Sequence, residues 1–178
     1  MEKISGERIY LRKLTMEDAT PRYCAWFNDP EVTKYLEIRS SNMDQLKSYV
    51  KSKSDNPAVL FMGIFDKTSD LHIGNVKLEP INAPDKRTIF SIVIGDRSFW
   101  GKGIGTEATR LITDHALREL GIDEVELGVI DEHKKASRAY ERAGYKQVRI
   151  KKNAVNHDGI VYDAVIMVKR KEDLEGQK

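Results

Sequence analysis

The chain has 178 residues, 33% charged and 40% hydrophobic, a balance that excludes both a disordered chain and a disulfide scaffold. A formal charge of +2 is too small for a nucleic-acid binder, which would show a concentrated basic stripe. The only cysteine, Cys24, excludes an internal disulfide or redox pair, and the length suits one domain that buries about two-thirds of its unfolded surface.

In chain order, Arg8 to Leu14 alternates polar and apolar residues with a period of two and predicts a half-buried strand. Thr15-Met16-Glu17-Asp18 resembles a capping signal for a helix carrying Ala19, Tyr23, Trp26 and Phe27, which ends at the turn cluster Asn28-Asp29-Pro30. A short helix from Glu31 follows. Ser41-Asn42-Met43-Asp44 predicts a capping box for a helix through Leu46, Tyr49 and Val50. After Asn56-Pro57 the pattern changes to three adjacent strands, 58–66, 71–81 and 87–95, which predict an antiparallel meander. Then come a helix from about Gly103, a strand 124–129, a helix 134–142, and strands 146–152 and 160–170. Gly121 and Gly144 stand where helix C-terminal glycines belong, and a polar loop 153–159 carries the hairpin pair Asp158-Gly159. A single α/β domain over 1–171 with a frayed tail, 172–178, is expected. No stretch approaches the ~20 apolar residues of a membrane span and the first eight residues hold no apolar run, so the expectation is a cytoplasmic protein without membrane contact.

Trp100-Gly101-Lys102-Gly103-Ile104-Gly105-Thr106-Glu107-Ala108 leaves a strand-rich segment and opens a helix. Glycines there allow positive φ and close approach of backbone N–H groups to a polyanion, with the helix dipole adding partial positive charge. The spacing is neither that of a Walker A loop, since Ile104 follows Gly103, nor that of a dinucleotide fingerprint, since Thr106 stands where its third Gly belongs. His72, His115, His133 and His157 have no helical pairing and no cysteine neighbours, so no metal site is expected. Met16, Met43, Met62 and Met167 read as core filler. The basic runs Arg149–Lys152 and Lys169–Lys171 read as solvated strand ends, and Cys24 as a buried small residue.

The segment from Ser91-Ile92-Val93-Ile94-Gly95 through the glycine motif, followed by His133-Lys134-Lys135-Ala136-Ser137-Arg138-Ala139-Tyr140-Glu141-Arg142-Ala143-Gly144-Tyr145, resembles the two signature elements of the GNAT superfamily of acetyl-CoA-dependent N-acetyltransferases. Within it the chain is similar to the branch that resembles ribosomal-protein and polyamine acetyltransferases. The resemblance implies a mixed, centrally splayed β-sheet flanked by helices, its strands parting at a bulge so that the pantetheine arm of acetyl-CoA pairs with exposed main chain. It implies that Ile92, Val93 and Ile94 face the pantetheine and acetyl carbonyl, that residues Trp100, Gly101, Lys102, Gly103, Ile104, Gly105 and Thr106 hold the pyrophosphate, and that Tyr140 is the general acid toward the leaving thiolate. Trp100 replaces the Gln or Arg of many relatives, and His133, replacing the usual Asn, retains one hydrogen bond for main chain or cofactor. Where polyamine-acetylating relatives carry a Glu, this chain has Ile89.

Glu79 and Ser91 are candidates for removing the amine proton, and Glu37 and Arg39 for shaping the acceptor pocket. The implied function is direct transfer of acetyl to a primary amine of a small molecule such as an amino sugar. A protein N-terminal amine, a polyamine and a non-catalytic acyl-CoA-binding module are the alternatives, with a homodimer through the C-terminal strands as a further expectation.

Overall fold

The computed structural model of the chain describes residues 3–36, 40–157 and 159–174; Glu37, Arg39 and Asp158 lie outside them. Strand β1 (Lys3–Ser5) turns into β2 (Ile9–Lys13), which alternates Ile9 and Leu11 toward one face of the sheet and Tyr10 toward the other. The predicted first helix is divided. Thr15 and Asp18 form a capping box, but on a single 3₁₀ turn, Met16–Asp18. The chain restarts at Pro21, which has no N–H to lose at a first helical position and makes α1 (Pro21–Trp26), capped by Thr20 Oγ1 accepting from Tyr23 N–H. Met16 is consequently 42% exposed and is not core filler. Helix α2 (Pro30–Thr33) is capped by Asp29, and α3 (Met43–Ser54) by the reciprocal pair Asn42 and Gln45, one residue later than the sequence pattern suggests.

The meander is β3 (Leu60–Asp66), β4 (His72–Glu79) and β5 (Arg87–Ile94), antiparallel throughout. Helix α4 (Ile104–Glu119), β6 (Glu124–Ile130), α5 (Lys134–Arg142), β7 (Lys146–His157) and β8 (Ile160–Arg170) complete one eight-stranded sheet, ordered β1-β2-β3-β4-β5-β6-β8-β7. Among the described residues only β5 and β6 pair in parallel. Gly121 and Gly144 take φ of 69° and 96° at the ends of α4 and α5, the left-handed C-terminal position that glycine fills without a Cβ penalty.

Two apolar clusters cover the two faces. Ile64, Val76, Leu78 and Phe90 meet Ile104, Ala108 and Ile112 of α4, and on the other side Phe61 and Phe65 meet Tyr23, Trp26, Leu46 and Val50 of α1 and α3. Cys24 is buried there and donates to Ser41 C=O. Trp26 lies over Gly95 so closely that a Cβ at 95 would stand 1.9 Å from the indole, so this aromatic is core.

Three expectations at the C-terminal end are corrected. The polar segment 153–157 is strand, since β7 runs on past a three-residue irregularity where Asp163 accepts from Lys152 Nζ and Asn153 N–H. Lys169 is fully buried, donating to Asp114 Oδ1 (2.7 Å) and Ala143 C=O (2.8 Å), because its place in β8 points beneath α4 and α5. The tail begins with an ordered 3₁₀ segment, Lys171–Leu174, whose Asp173 accepts from Lys146 Nζ and Arg170 N–H.

Candidate active site

The sheet opens between β5 and β6. Their pairing is confined to Arg87, Thr88 and Ile89 against Glu124, Val125 and Glu126, after which β6 stays with β8 through Ile130 and β5 stays with β4. A V-shaped gap separates Phe90–Ile94 from Leu127–Ile130. Among the described residues the bulge expected where the strands part is not there; the irregularity lies one strand away, between β3 and β4. Ile73 of β4 is the extra residue opposite Ile64/Phe65 of β3, and its C=O accepts from both Gly95 N–H (3.0 Å) and Asp96 N–H (3.1 Å). The β4–β5 register itself is continuous.

That register fixes which main-chain groups face the gap. Opposed residues in an antiparallel ladder alternate between hydrogen-bonded and non-bonded pairs, and the Gly95–Ile73 bond sets the phase. Ser91 and Val93 therefore turn their N–H and C=O to β4, whereas Ile92 and Ile94 turn theirs to the open edge. Trp100 Nε1–H donates to Ile94 C=O (2.8 Å), so the indole ties the loop to the strand and has no donor left for a ligand.

The glycine turn follows. Gly101 and Gly103 adopt φ of 74° and 76°, and Gly103 is the N-cap of α4, whose first helical bond is Glu107 N–H to Gly103 C=O. The N–H groups of Ile104, Gly105 and Thr106 thus meet no main-chain acceptor among the described residues. At Gly101 and Gly105 a Cβ would stand in open space. Unpaired donors at a positive helix end, with no side chains over them, fit a diphosphate. Lys102 Nζ lies 5.6 Å from the Phe99 ring centre, beside the turn, while Ile104 is buried and anchors it to the core.

Tyr140 projects from α5 against Phe90 and Tyr145, ring centres 6.2 Å away in each case, and packs on the α4-side cluster with Ile92 and Ile94. Its hydroxyl makes no hydrogen bond to a described residue. Burial pushes its pKa up to about 12, so the phenol is protonated at neutral pH. His133 caps α5 through its C=O, and its ring stacks on Tyr35 at 4.1 Å and 18°. Burial, then Lys34 and Lys135, hold its pKa below the usual histidine value.

Ser91 and Glu79 lie on the opposite face of the sheet from Tyr140. Ser91 is exposed opposite Lys77, and Ile89, 57% exposed, is opposite Glu79. Glu79 accepts from Lys53 Nζ at 2.8 Å on both oxygens and pairs with Lys77 Nζ at 2.9 Å, and these two cations lower its pKa. The gap thus brings together Ile92, Ile94, the turn 100–106 and Tyr140, with Ser91 and Glu79 across β5. Glu37 and Arg39 lie outside the described residues.

Sequence reasoning missed Lys53 and Lys77, which bind Glu79, and missed Arg8, which grips the glycine turn. One signal for Arg8 was present. Glu107 falls on the apolar stripe of α4 with Ile104, Ala108 and Leu111, and an acid in that place requires a partner.

The sequence matches the family described as "Acetyltransferase (GNAT) domain" over residues 8–146. It is 30% identical over 138 residues to the "Uncharacterized N-acetyltransferase p20" of Bacillus licheniformis, covering 75% of this chain and 76% of that protein. The fold superposes on the spermidine N-acetyltransferase of Vibrio cholerae, solved with CoA and spermine, with a TM-score of 0.84 at 22% identity over 93% of this chain and 97% of that one. It also superposes on the microcin self-immunity acetyltransferase MccE, solved with acetyl-CoA and AMP, with a TM-score of 0.80 at 21% identity over 93% of each chain. With the splayed sheet, the glycine turn and the family match in place, the chain belongs to the GNAT family of acetyl-CoA-dependent N-acetyltransferases.

Proposed function

We propose that the enzyme transfers acetyl directly to a primary amine of a small molecule, both substrates being bound together. The observation that carries this reading is the Tyr140 hydroxyl, without a hydrogen-bond partner among the described residues, on the wall of the gap between β5 and β6. Acetyl-CoA supplies the thioester. The turn 101–106 holds its diphosphate, and the main-chain groups of Ile92 and Ile94 on the open edge align the pantetheine and acetyl carbonyl. An N–H there donates to the carbonyl oxygen as negative charge grows on it. His133 closes the far side of the gap through its stack on Tyr35.

The amine nitrogen attacks the acetyl carbon, the C–S bond breaks, and Tyr140 donates a hydrogen bond or its proton to the departing sulfur. A simple thiol has a pKa near ~8.5, well below that of Tyr140, so the phenol acts first as a hydrogen-bond donor. Complete proton transfer needs the thiolate's own pKa to be raised in the same apolar setting. On the acceptor side, Glu79 is held ionised at neutral pH by Lys53 and Lys77. Those two cations weaken it as a base, so its part is to accept the amine proton through water beside Ser91 only as the nitrogen attacks and becomes more acidic.

The charges on the acceptor face favour a neutral or anion-bearing amine over a polyamine. Among the described residues, Glu79, Glu124 and Glu126 on that face already pair with Lys53 and Lys77, with Arg170 and Arg87, and with Arg149 respectively. No carboxylate of this set is left for a second ammonium, and exposed Ile89 offers none. MccE, a neighbour of the same fold, was solved with the anion AMP, and another neighbour with spermine, so the fold itself leaves the choice to side chains. The test is a thiol-release assay with acetyl-CoA and a panel of amino sugars, nucleotide-linked amines, peptides and spermidine. The expected result is turnover of a small neutral or anionic amine, with Tyr140→Phe lowering kcat about 100-fold and leaving CoA affinity within twofold. Tight CoA binding without turnover of any amine would favour the binding module, and an unchanged rate for Tyr140→Phe would remove that residue from the mechanism.

A further inference from the structure

Arg8 makes contacts that the family reading does not use. Glu107, on the first turn of α4, is buried to 3% exposure, yet it is an ion. Its Oε1 accepts from the N–H of Arg8 (2.9 Å) and of Ile9 (3.4 Å), and its Oε2 from Arg8 Nε (2.9 Å). Burial raises the carboxyl's pKa, but these bonds and the guanidinium charge prevail and hold it below the usual range. The turn between β1 and β2 wraps the carboxylate so closely that a Cβ on Gly6 would stand 2.4 Å from Oε1. Held in this way, Arg8 reaches the glycine turn from behind. Its Nη1 donates to Lys102 C=O, and its Nη2 lies 3.2 Å from where a Cβ of Gly103 would be.

A trans peptide is planar, with its C=O and N–H pointing in opposite directions. An anchor on Lys102 C=O therefore sets the direction of Gly103 N–H, which belongs to the same peptide unit and points away from Arg8. On its C-terminal side this peptide is followed by Gly103, in left-handed conformation at φ 76°, where no Cβ restricts the φ about which the peptide turns. We infer that Arg8 is a positioning residue for the diphosphate: clamped by Glu107, it fixes the Lys102–Gly103 peptide so that Gly103 N–H faces into the cradle. The inference rests on the reading that this turn holds the diphosphate of CoA, and it assigns to the N-terminal hairpin a part in cofactor binding.

The test is calorimetric titration of the full chain with CoA and with 3′-dephospho-CoA, which keeps the diphosphate but lacks the remote phosphate. For Arg8→Met the Kd of both ligands is expected to rise about tenfold, the cost of one charge-assisted hydrogen bond. Arg8→Lys should lose most of the same affinity, because one ammonium cannot reach both Glu107 and Lys102 C=O. A role confined to fold stability would lower the melting temperature and leave both Kd values in place, which would overturn the inference. A loss for CoA but not for dephospho-CoA would also overturn it, since Arg8 would then be reading the remote phosphate. If neither variant folds, the wild-type amide resonance of Gly103 decides: a large shift on adding CoA is expected, and an unmoved resonance contradicts the clamp. Failure of the wild-type chain to bind CoA at all would instead remove the underlying reading.

Discussion

His72 shows how much chemistry one residue carries outside the site. It sits in a cage of rings, with Tyr23, Trp26 and Phe65 centred 4.9 to 5.1 Å away, and its Nε2 faces two acceptors, Gly74 C=O (3.0 Å) and Asn75 Oδ1 (2.8 Å). Two acceptors place the proton on Nε2, and burial keeps the ring neutral by depressing its pKa. An unfolded histidine titrates near ~6.5, so below that pH the unfolded chain takes up a proton that the folded chain refuses. Stability should therefore be fully present above about pH 6.5 and fall as the pH drops, by up to ~1.4 kcal/mol per pH unit from this group. Urea denaturation at pH 7.5 and 5.5 checks this. Wild type should lose more stability than His72→Gln over that interval, and equal losses would acquit the histidine. In the sequence His72 is one of four scattered histidines, and nothing local reveals the cage, because its walls come from α1 and β3. The glycines were legible because their spacing is local, and Tyr140 because its helix resembles that of a known family, whereas Arg8 and Glu107 stand far apart in the chain and meet only through the fold.

At the scale of elements, period and punctuation carried most of the order of strands and helices, and the departures have local physical causes. Pro21 divides the first helix. The segment 153–157 looks like a loop because it is polar, but an edge strand with one solvated side tolerates polar residues, and Asp163 bonds the irregularity across the hairpin. Strand β8 was legible as a strand, while its last turn inward was not. Lys169 reads as part of a basic run, yet its ammonium is buried between Asp114 and Ala143 C=O. Replacing it by Met leaves Asp114 without its cation and the carbonyl without a donor. The expected loss is about 3 kcal/mol, measured by chemical denaturation, against less than 0.5 kcal/mol for Lys151→Met on exposed β7. Equal small effects would show that Lys169 is dispensable and that the burial carries no energetic weight.

At the scale of the whole molecule, the sheet has two halves, β1–β5 and β6–β8, joined by three parallel pairs and spanned by α4 and the Tyr35–His133 stack. The fold class was legible from the alternation of strands and helices and from two motifs in order; the width and depth of the gap were not, because they arise where pairing stops. The β7–β8 hairpin ends the sheet with a free edge and exposes Ile150, Ile160 and Val161 at 48%, 57% and 51%. A free edge with apolar side chains invites a second copy, and we propose a homodimer through it. Sedimentation should give twice the chain mass for wild type and a single chain for Ile160→Asp/Val161→Asp; a wild-type monomer at every concentration would exclude the pairing.

The central claim is that the turn 101–106 grips the diphosphate of CoA with main-chain amides, and a crystal structure of the CoA complex tests it most directly. The account predicts diphosphate oxygens about 3 Å from the N–H groups of Gly103, Gly105 and Thr106, with the pantetheine arm along Ile92 and Ile94. A diphosphate lodged away from that helix end, with those amides still facing solvent, would contradict it.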